Sequence, residues 1–260
     1  MDILIEPPRS AWDLKWSLLR IPVRIHPLFW LMALFLSYHE KDRFEFVLLG
    51  IACIFVSIMV HEFGHALSGM YYGDRNPRVV LYQMGGLCIH GDADLRRWPR
   101  ISTLLWGPGA GFVLGGIAYG VKWAMDHGHI GFQLHLWVLL AEMIWINLIW
   151  GAVNLFPVFP LDGGQICREL VAWKRPASGD RLAFTISMYT GIVMVVASLA
   201  FYIYMEAKDP RSLMPAVLFG MLAYSSWKLR QQVELYGAFG GGADERPRQP
   251  WEQDADWWKK

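Results

Sequence analysis

From Phe44 to Tyr72 the chain is almost continuously apolar. That is long enough to cross a bilayer, which takes about 20 apolar residues. A stretch with no polar punctuation has to be buried in protein or in lipid. Yet near its end it carries Val60-His61-Glu62-Phe63-Gly64-His65-Ala66. Charged groups inside a span cost about 2.5–3.5 kcal/mol each on insertion scales, so they are rarely present without a task. His61 and His65 are four residues apart and share one face of a helix. Two imidazoles so placed can take one Zn2+, with Glu62 beside them as a general base.

Other apolar runs obey the same logic. With Phe44–Tyr72 there are six, the others being roughly Ile25–His39, Ile101–Met125, Phe132–Phe156, Leu182–Met205 and Ser212–Trp227. The chain is 54% hydrophobic and only 18% charged, whereas soluble domains carry about 25% charged residues. The expected fold is therefore an all-α polytopic membrane protein of about six transmembrane helices in a lipid bilayer. A net charge of +1 argues against a nucleic-acid partner. Cys53, Cys88 and Cys167 are widely separated and suggest neither a disulfide framework nor a thiolate metal site. No cleavable signal peptide is expected, because the first 24 residues hold Pro7, Pro8, Asp13 and several other charges.

Three segments are expected. Residues 1–24 form an N-terminal cytoplasmic segment, with Arg9 to Arg20 as a short amphipathic helix on the membrane surface. Residues 25–230 form the membrane domain. Residues 231–260 form a tail expected to be disordered. Between the second and third runs, Arg78 to Gly91 suggests two short strands around Gly85-Gly86, a membrane-associated hairpin or small sheet, and Asp92 to Arg100 a polar connector. Alternate segments flanking the six runs hold 19 and 5 of the Lys and Arg residues, which places both termini in the cytoplasm. Trp98, Trp106, Trp123, Trp150, Trp173 and Trp227 fall near run ends, as an aromatic belt would.

A catalytic zinc usually takes three protein ligands and keeps one position open. Asp162 is the candidate third ligand, in Asn154-Leu155-Phe156-Pro157-Val158-Phe159-Pro160-Leu161-Asp162-Gly163-Gly164. Pro157 and Pro160 cannot continue a regular helix. Irregular backbone at membrane depth is tolerated only where protein or a water-filled cavity covers it. Gly163 and Gly164 allow close backbone approach. The topology puts His61, His65 and Asp162 on the same side, together with Gly107-Pro108-Gly109-Ala110-Gly111 at the start of the third run.

HEFGH in one span and NLFPVFPLDGG in a later one resemble the site-2 protease family of intramembrane zinc metalloproteases, peptidase family M50. The family pattern, HExxH with NxxPxxPxDG, is matched at every fixed position. Gly107-Pro108, the Gly85-Gly86 loop and Arg24-Ile25-His26-Pro27 also resemble family features. The resemblance covers about residues 20–230. It implies that His61, His65 and Asp162 bind Zn2+, that Glu62 activates water, and that Asn154 helps hold the substrate backbone or the developing oxyanion. The implied substrate is a single-pass transmembrane protein cut in or near its span, and the expected location is a bacterial inner membrane. No inserted PDZ-like stretch and no CBS-like pair is apparent.

Two other classes compete. One is a catalytically silent zinc-binding scaffold for transmembrane helices, against which an intact Glu62 counts. The other is a membrane zincin acting on prenylated proteins, which resembles HExxH with a distant glutamate ligand and lacks a stretch like Asn154–Gly164. A transporter fits least, because the ionisable groups gather on one side and not at the midplane. Glu142 and Asn147, inside the fourth run, suit either a polar water path or an interhelical hydrogen bond. Cys88 and His90 lie in the expected hairpin, where a regulatory fourth ligand is one reading. The other histidines fall near run ends.

Overall fold

The structure, a computed structural model, describes residues 8–38, 43–83, 85–91, 96–176, 178–205 and 210–238. The chain divides into two compact units with the break between Val153 and Asn154.

The first unit is built on a four-stranded sheet and the helices packed against it. Strands β1 (Leu14–Leu18), β2 (Ile21–Ile25), β3 (Arg78–Tyr82) and β4 (Gly85–Ile89) lie in the order β1-β2-β3-β4. β1 pairs antiparallel with β2, β2 parallel with β3, and β3 antiparallel with β4. The parallel step is made by helices α1 (Pro27–Ser37) and α2 (Phe44–Tyr71), which lie between β2 and β3 in sequence. Ile21, Val23 and Ile25 of β2 and Val79 and Leu81 of β3 face inward. They form one core with Phe29 and Ala33 of α1 and Met59, Phe63 and Ala66 of α2. On the other face, Arg24 is fully buried and its guanidinium donates to the Asp13 carboxylate at 3.1 Å. A buried pair of this kind needs both partners, because either one left alone would be an uncompensated charge.

Helix α3 (Arg97–Asp126) and helix α4 (Leu134–Asn154), all but its last residue, complete this unit. One turn of α4, Ile146–Trp150, is a π-helix. Cys53 of α2 donates to the Leu139 carbonyl, and Ser57 of α2 contacts Met143. Ala118 and Met125 of α3 pack with Leu140 and Met143 of α4.

The second unit contains α5 (Asp162–Lys174), α6 (Gly179–Tyr204) and α7 (Met214–Ala238). A bidentate ion pair joins Arg168 of α5 to Asp180 of α6, at 2.8 and 2.9 Å.

Several expectations change. The amphipathic helix over Arg9–Arg20 is a β-hairpin. Leu14, Trp16 and Leu18 alternate, and a two-residue turn at Leu19 and Arg20, both at positive φ (51° and 66°), reverses the chain. Two positive φ values suit a two-residue hairpin turn, whose twist matches that of the strands it joins. Residues 14–24 are therefore not a segment apart from the membrane domain, since β2 runs through residue 24 and pairs with β3; residues 1–7 lie outside the described residues. The first run, Ile25–His39, yields a helix of only 11 residues. His26 caps it, its Nδ1 accepting from the Leu28 N–H at 3.2 Å, and Pro27 occupies the first turn. At 1.5 Å per residue such a helix covers about 16 Å, half the hydrocarbon thickness.

Among the described residues four helices, not six, are long and apolar enough to cross a membrane: Phe44–Tyr71, Arg97–Asp126, Leu134–Asn154 and Gly179–Tyr204. Helix α7 bears Lys228, Arg230 and Glu234 along its second half. It continues to Ala238, so residues 231–238 of the expected tail are helical. The rest of that tail, 239–260, lies outside the described residues. Of the expected polar connector, residues 97–100 already belong to α3, and 92–95 lie outside the described residues.

Candidate metal and catalytic centre

α2 has 28 residues, about 42 Å at 1.5 Å per residue, and His61 and His65 lie in its later half. Their four-residue spacing brings the rings together: the centroids are 4.8 Å apart and the two Nε2 atoms 3.2 Å apart. The other nitrogen of His65, Nδ1, is 2.8 Å from the backbone carbonyl of Thr103 on α3. A carbonyl can only accept, so Nδ1 carries the proton and Nε2 of the neutral ring presents its lone pair. Metal-binding histidines are commonly held in this way, the second ring nitrogen donating to a carbonyl or carboxylate. Two nitrogens at 2.0–2.1 Å from a tetrahedral zinc would be about 3.3 Å apart. The observed 3.2 Å therefore suits one cation between the two rings.

Glycine makes this approach possible. A methyl group at Gly107 of α3 would overlap the His65 ring at Cε1 and Nε2, and one at Gly64 would overlap the Trp106 carbonyl. Pro108 comes next inside α3. Having no N–H, it removes one helical hydrogen bond and pushes aside the carbonyl four residues back. The Gly107-Pro108 pair thus gives the ring room and loosens the backbone beside Thr103. The Thr103 hydroxyl meets Ser68 of α2 at 3.3 Å, a second tie between the two helices.

Glu62 is buried. A methyl at Gly86 would overlap its carboxylate, so the start of β4 lies directly against this side chain. β3 and β4 form the hairpin expected around Gly85-Gly86, with the turn two residues earlier and Tyr82 paired with Gly85. β4 is an edge of the sheet.

Asp74, just beyond α2, fastens the far end of the hairpin. Its carboxylate accepts from the Gly91 N–H at 3.2 Å, from the Asn76 N–H at 3.2 Å, and meets His90 Nδ1 at 2.8 Å. Burial pushes the Asp74 carboxyl up, but these hydrogen bonds and the nearby His90 hold it below its ordinary value. His90 is thus engaged in the hairpin, and Cys88 lies opposite Val79 in the strand register. Neither belongs to the group of described residues able to hold a metal. Sequence reading did not find Asp74; its nearest signal was the Gly73-Asp74 turn at the helix end.

Asn147 is buried in the π-turn of α4, and its amide donates to Ser57 Oγ at 2.9 Å and to the Met143 carbonyl at 2.8 Å. Of its two readings, the interhelical hydrogen bond is the one found. Glu142, five residues earlier, is exposed.

In the second unit, residues 155–161 are irregular, and Asp162 opens α5 instead of extending that loop. A carboxylate in the first turn faces the positive end of the helix dipole. Methyl groups at Gly163 and Gly164 would overlap the backbone of Leu155 and of Val158–Phe159, so the helix begins folded tightly onto its own loop. The loop is fixed by Ser187 of α6, whose hydroxyl accepts from the Phe159 N–H at 2.6 Å and meets Ser226 of α7 at 2.7 Å. Asn154 and Asp162 are both buried.

A family model described as peptidase family M50 matches residues 125–198, the part of the chain that holds the Asn154–Gly164 stretch. A zinc metalloprotease of Methanocaldococcus jannaschii is 27% identical over 188 residues, 71% of this chain and 53% of that protein. Stage IV sporulation protein FB of Bacillus subtilis is 25% identical over 177 residues, 62% of this chain and 52% of that protein. The solved site-2 protease of M. jannaschii shares the fold, with a TM-score of 0.56 and 20% identity over 84% of this chain and 95% of that one. The chain is thus similar to the site-2 proteases of peptidase family M50. The protein is an integral membrane protein with four apolar helices of spanning length among its described residues. It spans about half the length of these two curated relatives, 53% and 52%.

Proposed function

We propose that this protein is a zinc-dependent intramembrane endopeptidase that cuts single-pass proteins in or near their transmembrane segments. The observation that carries the reading is the HEFGH turn of α2. It joins two imidazoles with converging Nε2 atoms 3.2 Å apart to a buried glutamate lying against a sheet edge. His61, His65 and Asp162 would hold the zinc. Two imidazoles with a carboxylate are a usual catalytic zinc donor set. When bound, zinc supplies a Lewis acid that polarises the scissile carbonyl and acidifies water.

The chain's own residues do the rest. Thr103 orients the His65 ring. Glu62 accepts a proton from the attacking water and delivers it to the leaving amine. Asn154 holds the substrate backbone or the developing oxyanion. A substrate helix hides its carbonyls in hydrogen bonds and has to unwind before it can be cut. The outer edge of β4 offers an extended segment backbone pairing, and its first residues abut Glu62.

The sheet and the sheet-side end of α3 carry Lys15, Arg20, Arg24, Arg78, Arg97 and Arg100. The positive-inside rule supports a cytoplasmic location for that side; we propose the same side for both termini, in a bacterial inner membrane. Cells carrying wild type or Glu62→Gln provide the test. A fragment of a single-pass membrane protein should appear with wild type alone, while the purified variant keeps its zinc. Equal fragments in both strains would remove Glu62 as the base. Absence of cleavage by purified wild type on every transmembrane substrate tried would leave the scaffold reading.

A further inference from the structure

Helix α4 has three faces. Leu139, Met143 and Asn147 turn toward α2, where they meet Cys53 and Ser57. Leu136, Trp137, Leu140 and Ile144 lie in the cluster shared with α3. The third face is the stripe Val138, Glu142, Trp145 and Ile149, spaced four, three and four residues apart as one side of a helix requires. Trp145 is 64% exposed, Ile149 45%, and Glu142 is exposed as well. An apolar stripe of this kind needs no explanation in lipid. A carboxylate in its middle does, because ionisable groups within spans normally turn inward and pair.

Glu142 lies eight residues into the 21-residue span, about 12 Å from its start at 1.5 Å per residue. Among the described residues no hydrogen bond or ion pair reaches it. Its level is set by its neighbours, between Leu139 opposite Cys53 and Met143 opposite Ser57. His61 lies one helical turn beyond Ser57, about 6 Å.

We infer that the Val138–Glu142–Trp145–Ile149 stripe is a docking face for a partner transmembrane helix carrying a lysine or arginine near its middle. Charge complementarity selects the partner. Glu142 attracts a cation, and the Trp145 indole one turn further on attracts the same cation through its ring face. The apolar residues on either side supply close packing, which together with interhelical polar contacts is what joins helices in lipid. A basic residue in the partner would fix both its depth and its rotation, about one turn before the level of His61. The inference rests on α4 spanning the membrane and not on zinc or cleavage, so it can fail separately from the proposed function.

Donor-labelled full-length protein in neutral phosphatidylcholine vesicles tests it by energy transfer to acceptor-labelled synthetic helices. The probes are Leu/Ala helices of about 24 residues, long enough to span. One has a central Arg, its twin a central Leu, a third a central Glu, and a fourth the Arg moved two turns toward one end. Wild type should bind the central-Arg helix about tenfold more tightly than its twin, the scale expected of a good interhelical polar contact. Glu142→Gln should bring the two within about twofold, and Glu142→Lys should shift the preference to the Glu helix. Equal binding of the twins by wild type overturns the inference. So does a Glu142→Gln protein that keeps the preference, or a preference unchanged when the Arg is moved.

Discussion

Replacing Gly107 by alanine probes the spot where α3 meets the His65 ring most directly, and the structure sets the size of the effect. The new methyl would occupy the position of His65 Cε1 and Nε2, and the contact is between helix backbone and a ring with little freedom. Overpacking of this kind costs about 1–3 kcal/mol. The ring can escape only by turning, which breaks the 2.8 Å hydrogen bond from Nδ1 to the Thr103 carbonyl. A buried donor left unsatisfied costs a further ~1–3 kcal/mol. Loss of an orienting partner behind a metal-binding histidine typically lowers affinity by about 10–100-fold. Gly107→Ala should therefore weaken zinc binding by at least about tenfold and lower the unfolding temperature in detergent. Gly116→Ala on the same helix is the control. Nothing lies within 4 Å of its added methyl, so it should bind zinc as wild type does. Zinc affinity would be read by chelator competition on purified protein and stability by thermal unfolding. If Gly107→Ala bound zinc within threefold of wild type, the account of the Gly107–His65 contact would be refuted.

Asp162→Ala should sharply lower the zinc content of the purified protein; full retention, measured by atomic emission, would remove Asp162 from the ligand set. Ser187→Ala leaves the buried Phe159 N–H without its 2.6 Å acceptor and should cost about 1–3 kcal/mol of stability. A thermal midpoint unchanged from wild type would contradict that role for Ser187. Asp74 gives an acid dependence. Its carboxyl is held below its ordinary value of 3.8, so its contribution is complete above that pH and is lost as pH falls through the lower folded value. The stability difference between wild type and Asp74→Asn should be constant from about pH 5 to 7 and shrink below about pH 4. A difference that stayed constant down to about pH 2 would show that the carboxylate does not hold the hairpin.

The chemistry was more legible than the scaffold. HEFGH announces its own geometry, because a four-residue spacing on a helix leaves two rings no alternative to lying one above the other. The Gly85-Gly86 hairpin was visible because β-branched residues and paired glycines flank it. The β1–β2 hairpin was not, for two physical reasons. Trp12 and Trp16 are four apart and imitate a helix face, while the Leu14, Trp16, Leu18 alternation lasts only five residues. Its turn also uses Leu19 and Arg20 at positive φ, where asparagine and glycine are the usual markers. That Ile25 closes a strand instead of opening the first helix depends on pairing with β3, more than fifty residues away, which no local pattern encodes. Prolines marked the break after Asn154. That α5 restarts at Asp162 depends on Gly163 and Gly164 packing under the loop, a tertiary contact.

The parallel pairing of β2 with β3 also orders events at the ribosome. When β2 emerges, one of its edges can pair with β1, and its other neighbour has not yet been made. Both α1 and the spanning helix α2 must be made and the chain brought back before Val79–Leu81 can close the gap. Gly86, which abuts Glu62, arrives later still, and α3 with Thr103 and Gly107 after that. A growing chain therefore carries its two histidines into the bilayer well before it has made the parts that aim them.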